Sequence, residues 1–431
     1  MICDNLEIKN GILYFGNRNT VEIAEKYKTP LYLMDEPTLR KNCRKYVSAM
    51  KKYFGENSFP FFASKSCAFK RMIQIASSEG MGIDVVSAGE IYTAVKAGAD
   101  PGKICFHSNS KTDDDILFAL ENGVGQFVVD NTEELEALDR IAGEKGVCQK
   151  ILLRITPGID THTYEAVNTG KVDSKFGFPI ETGAADIVTE FALGLKNVEL
   201  TGFHCHVGSQ LFDSDVFIRS AEIMLDFIAH IKDKYSFEAK ELDLGGGYGV
   251  KYTENDGTVD IEDNIRQVAL YCEKKRTELG LNKLSYRMEP GRSIVSDAGI
   301  TLYKVGNVKR IDGYKNYTAV DGGMGDNPRY ALYQSEYTVI AASKCDEPHT
   351  FKCDLVGRFC ESGDIIQPGV FLPESIKRND LVAVMTTGAY NYSMASNYNR
   401  VPRLPVIMLD GENDYIAVKR ETLDDIIKND I

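Results

Sequence analysis

Between residues 36 and about 290, eight short apolar runs alternate with helical stretches, and that alternation limits the folds open to this chain. The runs are Phe59–Lys65, Gly82–Ser87, Ile104–His107, Gln126–Val129, Ile151–Ile155, Val198–His206, Glu241–Leu244 and Leu284–Glu289. Helical periodicity marks Glu90–Ala97, Thr132–Glu144, Ile180–Leu193, Val216–Lys234 and Asn264–Leu279 between them. A strand that returns through a helix pairs parallel to its predecessor by a right-handed crossover. Eight such units are the number that closes a (β/α)8, TIM-like barrel; a doubly wound open sheet shares the alternation and is the alternative.

After residue 293 the helical periodicity largely stops. Ile300–Val305, Tyr317–Val320, Thr338–Ala341 and Leu381–Met385 alternate with Gly, Asp and Asn clusters, which predicts a second, all-β domain with a helical tail from Leu423. Gly11–Phe15 and Pro30–Met34 add two strand-like pieces near the start. The expected division is a barrel over 36–292 and a β domain formed by 1–35 with 293–431. Neither a repeat nor a long flexible linker separates them.

A net charge of −13 argues against a nucleic-acid partner. No apolar run reaches membrane-spanning length, so no membrane partner is expected. The first residues show neither the basic region nor the apolar core of an export signal. Ten cysteines without a CxxC pair then read as reduced thiols, and the expected compartment is the cytoplasm.

Polar residues collect where the strands end: Lys65, Asp84, Arg154, His204, His206, the run Gly245-Gly246-Gly247, and Glu289. In a barrel those ends share the face on which active sites are built. Lys65 is either a solvated strand end or a Schiff-base lysine, which needs a semi-buried amine able to lose its proton. The glycine run is either a tight turn or a cradle of backbone N–H groups. It lacks the helix start of a dinucleotide fingerprint and suits a compact phosphate monoester better. His204 and His206 alternate onto one face. They could be core residues, metal ligands lacking an obvious third partner, or a stack for an aromatic cofactor ring, with Gly208 and Ser209 near a phosphate. No metal is expected. Glu289 of Glu289-Pro290-Gly291-Arg292 would hold a pyridine nitrogen protonated, or else pair internally with Arg292. An amine, a ring-nitrogen partner, a stacking imidazole and a phosphate cradle together describe pyridoxal 5'-phosphate.

The stretches FASKS, GIDVVSAGE, PGIDTHTYEAVNTGKVDSKFGF, GFHCHVGSQ, LDLGGGYG, MEPGRSIV, DGGMGDNPRYALY, CESGD and GAYNYSMASNYN run in order from about residue 60 to 400. In these the sequence resembles the barrel-type (fold type III) pyridoxal-phosphate decarboxylases of basic amino acids, and within them the diaminopimelate decarboxylases. The resemblance implies an alanine racemase-like two-domain architecture, with substrate and dimer-partner residues on the β domain. It implies that Lys65 carries the cofactor and that His206 stacks on its ring. Asp84, Ser209, Gly246, Gly247, Gly291, Arg292 and Tyr390 would complete the cofactor site, with Glu289 at the ring nitrogen. Arg292, Arg329, Tyr333 and Tyr390 would bind the substrate, with Glu361 at its distal ammonium. Cys360 would donate a proton to the α-carbon, reaching with Glu361 into the other subunit of a head-to-tail homodimer. The loop at His162-Thr163-Tyr164 would act as a lid.

Tyr330, Arg358 and Asn391 depart from the family pattern at motif borders, which bears on substrate preference. Decarboxylases of ornithine, lysine or carboxynorspermidine, and a non-catalytic pyridoxal-phosphate-binding paralogue, are the alternatives. A racemase of this barrel class would set arginine, not Glu289, against the ring nitrogen.

Overall fold

The computed structural model describes residues 2–159 and 172–431, so the segment expected as a lid at His162–Tyr164 lies outside the described residues. The chain divides into two compact units. One comprises Asn42–Gly249 with Thr258–Gly291, and the other Met1–Lys41, Val250–Gly257 and Arg292–Ile431. Residues 36–41, 250–257 and 292, inside the range expected for the barrel, therefore group with the other unit. Val250–Gly257 does so because its backbone is bound there. Tyr252 O accepts from Thr338 N and Oγ1, and Lys251 O accepts from Thr386 Oγ1.

The first unit is a closed parallel barrel. Its strands are β1 (Phe59–Ala63), β2 (Gly82–Val85), β3 (Ile104–Phe106), β4 (Gln126–Val129), β5 (Gln149–Thr156), β6 (Val198–His204), β7 (Glu241–Asp243) and β8 (Ser285–Met288). Each pairs with the next, β4 with β5 through Phe127↔Ile151, and β8 returns to β1 through Arg287↔Phe59. Closure of the sheet removes the open-sheet alternative. Five of the intervening helices begin on a side-chain acceptor: Ser87, Thr112, Asn131, Asp213 and Asp260 each take a first-turn N–H that would otherwise lack a partner.

The lumen is layered by the two-residue period of its strands. Phe61, Cys105, Val128 and Leu152, from four strands, touch one another and fill it. Two residues further along β5 from Leu152 stands Arg154, and two beyond Cys105 stands His107. The apolar plug is thus followed by a polar layer at the C-terminal ends of the strands.

The other unit is mostly β. Its main sheet runs in the order Ile365–Pro373, His349–Val356, Tyr317–Val320, Gly299–Lys309, Leu31–Asp35, Val406–Asp410, Asn413–Val418. Leu381–Val384 also pairs with Gly299–Lys309 and with Val339–Ala341. One apolar cluster packs Leu13, Phe15, Leu31, Leu33, Ile300 and Ile407; a second packs Tyr252, Tyr303, Tyr337, Phe351 and Leu372. The expected helical tail is the short helix Leu423–Ile427. No helix among the described residues is long and apolar enough to cross a membrane.

Candidate active site

Several strands stop short of the residues expected to end them. β1 ends at Ala63, and Lys65 sits in a 3-10 turn, Ser64–Ser66. Cys67 N–H donates to Ser64 O and Ser66 Oγ to Ala63 O, closing that turn. The Lys65 side chain is 42% exposed. β6 ends at His204 and β8 at Met288, so His206 and Glu289 also stand just past their strands.

A cavity of about 340 Å³ opens over the barrel's polar layer, lined among others by Lys65, His107, Arg154, His204, His206 and Glu289. Lys65 Nζ lies 4.0 Å from Asp84 Oδ2, and His107 Nε2 lies 3.8 Å from Asp84 Oδ1. Asp84 is buried, and neither oxygen has a hydrogen-bond partner among the described residues. Burial pushes its carboxyl up to about 6, against the pull of His107 and Lys65. Arg154 stacks on Phe176 at 4.3 Å and faces Asp130 at 3.8 Å.

Glu289 is the centre of this layer. His204 Nε2 is 3.1 Å from its Oε2, and His107 Nε2 is 2.6 Å from its Oε1. Burial alone would raise the Glu289 carboxyl, but the two imidazoles outweigh it and hold the group well below the usual range. Burial lowers His204, so its neutral Nε2–H donates to the ionised Glu289. His107 approaches Oε1 without the direction of a hydrogen bond, and that buried oxygen has no donor among the described residues. His107 was not singled out from the sequence, although, like Glu289, it stands one residue past its strand. The rule that picked Glu289 would have found it.

His206 is half-buried, and burial together with the Lys65 and Arg154 cations holds it well below its ordinary value, hence neutral. Its Nδ1 accepts the Gly246 N–H at 3.2 Å, which leaves the hydrogen on Nε2. The glycine run is demanded first by crowding. A Cβ on Gly246 would collide with the Glu289 carbonyl oxygen, and one on Gly247, at φ +120°, with that of Gly208. Leu211 N–H donates to Gly247 O at 2.9 Å and Gly249 N–H to Leu211 O at 2.8 Å, tying the Ser209 loop to the glycine loop. Gly291 packs close on Ala63 and Ser66, so a Cβ there would stand 3.0 Å from each. His204 is also better supplied with potential ligands than the sequence suggested. Asp243 and Glu289, from other strands, lie within 4.8 Å of it and of each other.

The remaining expected site residues belong to the β unit. Arg292 is buried and donates through Nη1 to Tyr252 Oη at 2.7 Å; its guanidinium lies 4.9 Å from the Tyr390 ring centre. Arg329, also buried, lies 5.4 Å from the same ring and 5.6 Å from that of Tyr333. Its Nη2 donates to Ser335 Oγ at 3.2 Å, and its Nε has no partner among the described residues. Two buried cations thus flank one tyrosine ring, and the Arg329 Nε among them has no partner among the described residues, which suits a carboxylate or phosphate. Tyr252 was invisible beforehand because nothing in Val250–Gly257 marks it as part of this unit. Cys360 and Glu361 are exposed in a loop anchored by Cys360 N–H to Asn399 Oδ1 at 2.8 Å and by Phe359 N–H to Asp364 Oδ2 at 2.8 Å. Of the three departures from the family pattern, Asn391 is buried with Nδ2 on Thr387 O, Tyr330 is half-buried, and Arg358 is exposed.

The barrel residues fit pyridoxal phosphate. An amine opens into the cavity, a buried carboxylate oxygen lacks a donor among the described residues, and a neutral imidazole lines the same space.

Comparison with known proteins agrees. Residues 39–296 match the family model described as "Pyridoxal-dependent decarboxylase, pyridoxal binding domain". The chain is 41% identical over 423 residues to the diaminopimelate decarboxylase of Bacillus subtilis, covering 98% of this chain and 96% of that one. It is 40% identical to that of Bacillus methanolicus, covering 96% and 95%. The crystal structure of diaminopimelate decarboxylase from M. jannaschii in complex with L-lysine superposes with a TM-score of 0.93 at 30% identity, covering 100% of this chain and 98% of that one. With its lysine-bearing barrel and full-length similarity, the chain belongs to the pyridoxal-dependent decarboxylases, in the diaminopimelate decarboxylase family.

Proposed function

We propose that this protein decarboxylates meso-2,6-diaminopimelate to L-lysine and carbon dioxide, the last step of lysine biosynthesis, with pyridoxal 5'-phosphate as cofactor. The observation that carries the reading is the barrel cavity in which Lys65 opens toward an ionised, buried Glu289. When bound, the cofactor supplies a sink for the electron pair left as carbon dioxide departs.

Lys65 holds the cofactor, and Asp84, 4.0 Å away, balances the charge of its amine. Glu289 keeps a proton on the ring nitrogen, which an arginine at that place would not do. Neutral His206 stacks on the ring without adding a positive charge. Ser209, Gly247, Gly291, Arg292 and Tyr390 hold the phosphate, and Gly246, whose N–H is on His206 Nδ1, lets the backbone come close to it. Arg292, Arg329, Tyr333 and Tyr390 bind the substrate, with the distal carboxylate on the guanidinium groups and the distal ammonium on Glu361. Fixing that far end sets the scissile bond at the angle the reaction needs. Cys360 then gives its thiol proton to the α-carbon.

Carbon dioxide release should be measured with meso-diaminopimelate, ornithine and lysine. Release from meso-diaminopimelate should exceed the other two. Arg329→Ala removes a charge-assisted contact worth roughly 1.5–3 kcal/mol, an effect of about 10- to 100-fold. That loss should fall on kcat/KM for meso-diaminopimelate and spare substrates without a distal carboxylate. Equal losses on all three would remove Arg329 from substrate recognition.

The protein is proposed to act in the cytoplasm as a head-to-tail homodimer whose sites draw Lys65 from one chain and Cys360 and Glu361 from the other. The exposure of Cys360 and Glu361 in the single chain supports that reading. Lys65→Ala and Cys360→Ala proteins, each nearly inactive, should complement when refolded together. Random pairing makes about half the dimers hybrids, each with one intact site, so about a quarter of wild-type activity should return. Hybrids seen by native mass spectrometry without activity would put both residues in the site of one chain.

A further inference from the structure

Asp243 ends β7, is fully buried, and has no part in the roles set out above. Its Oδ1 accepts the Gly245 N–H at 2.8 Å and so pins the start of the glycine run. Its Oδ2 is buried and meets no donor among the described residues. One carboxylate oxygen of Asp243, one of Glu289 and a ring nitrogen of His204 lie within 4.8 Å of one another.

The cation beside Asp243, Arg287, pulls its carboxyl down but is outweighed by burial and the Glu289 charge. Arg287, on β8, is directed to Glu241 at 3.5 Å and to the Asn57 carbonyl at 2.7 Å. The hydrogen on His204 Nε2 and the approach of His107 are both spent on Glu289. Buried Cys105 stays a neutral thiol, since burial and the surrounding carboxylates push it well up. Two bare carboxylates this close and this buried repel, whereas one proton between them converts repulsion into a hydrogen bond.

We propose that Asp243 is a positioning residue whose protonated carboxyl donates through Oδ2–H to the Glu289 carboxylate. Burial and the Glu289 charge push Asp243 well above the ordinary carboxyl range while Glu289 is held well below it, so the single proton resides on Asp243. A carboxylic acid kept neutral by its site is an effective hydrogen-bond donor. A carboxylate has about four lone-pair positions. His204 and Asp243 fill two and His107 crowds a third, leaving Glu289 one direction in which to take a hydrogen from the cofactor ring. The proposal rests on the reading that Glu289 faces the ring nitrogen.

The test compares wild type with Asp243→Asn and Asp243→Leu, cofactor-loaded and cofactor-free, at neutral pH and without substrate. With carbon-13-labelled aspartate, infrared difference spectra should show the carbonyl stretch of a protonated carboxylic acid in wild type and its loss in Asp243→Asn. The asparagine can still accept from Gly245 and donate to Glu289, so its affinity for pyridoxal phosphate should stay within about threefold of wild type. Asp243→Leu, which cannot donate, should bind the cofactor about tenfold or more weakly. Absence of the acid band in wild type would overturn the proposal, as would Asp243→Asn binding as poorly as Asp243→Leu. So would a stoichiometric divalent metal in the holoenzyme that Asp243→Asn removes. If the leucine variant does not fold, the spectra of wild type and Asp243→Asn still decide. Because they are read without substrate, a negative result is separate from any failure of the decarboxylase reading.

Discussion

Lys65→Ala should abolish turnover while leaving a folded protein that still takes up some pyridoxal phosphate. The residue sits in a hydrogen-bonded turn whose closing contacts come from Cys67 N–H and Ser66 Oγ, neither of which needs the lysine side chain. The amine is half-exposed in the cavity, so its removal opens no hole in the core. Loss of a covalent catalytic group together with its proton-transfer capacity should lower kcat by roughly 10²–10⁴-fold or more. Wild-type protein treated with borohydride should carry the cofactor on the peptide containing Lys65, and the alanine variant should carry none there. Label on another lysine would displace Lys65 from its role. A thermal midpoint far below that of wild type would mean the turn depends on the side chain after all.

Glu289→Gln should lower kcat by about 10²-fold, the scale for removing one preorganised charge stabiliser, with little change in KM. Glutamine keeps the shape of the side chain but cannot hold a proton on a ring nitrogen. His204 and His107 can accommodate the new N–H2 group by changing tautomer, so folding should survive. A loss in kcat alone is the sign of an interaction made in the transition state. Unchanged kcat would leave Glu289 as the structural partner of two histidines. A rise in KM with steady kcat would make it a binding residue.

The architecture of the barrel could be read from spacing alone, because a buried strand and an amphipathic helix have different periods. Phe127 and Leu152 declare their strands, and Ser87 and Asn131 declare the helix starts. The positions of the chemistry were harder to place. Lys65, His206 and Glu289 look like the last residues of their strands, yet each stands beyond the last ladder pair, where the backbone is free to turn a side chain over the lumen. Residue type suggested the roles proposed for them; the turn that aims Lys65 was hidden in small residues such as Ser64 and Ser66.

Two other features lay outside what periodicity can reveal. Tyr252 follows a glycine-rich loop and looks like surface, but its segment is bound by Thr338 and Thr386, more than eighty residues away in sequence. Asp243 looks like an ordinary strand residue, and only the pairing of its strand with Ser285–Met288 brings it beside Glu289. Gly246 shows the converse. Its place in a run of glycines suggested an open amide for a phosphate, while its N–H is taken by His206 and its lack of a side chain by the Glu289 backbone.

The strand Leu31–Asp35 has a consequence for the making of the protein. It is buried along its whole length, pairing with Gly299–Lys309 on one side and Val406–Asp410 on the other. On the ribosome its first partner emerges after nearly the whole barrel has been made, and its second roughly 370 residues after it. At roughly 5–20 residues per second, that is a wait on the order of 20–70 s. Throughout it, an apolar segment with two unpaired edges is held in the open beside a barrel that can already fold. The β unit therefore cannot be assembled until both of these distant strands have been made.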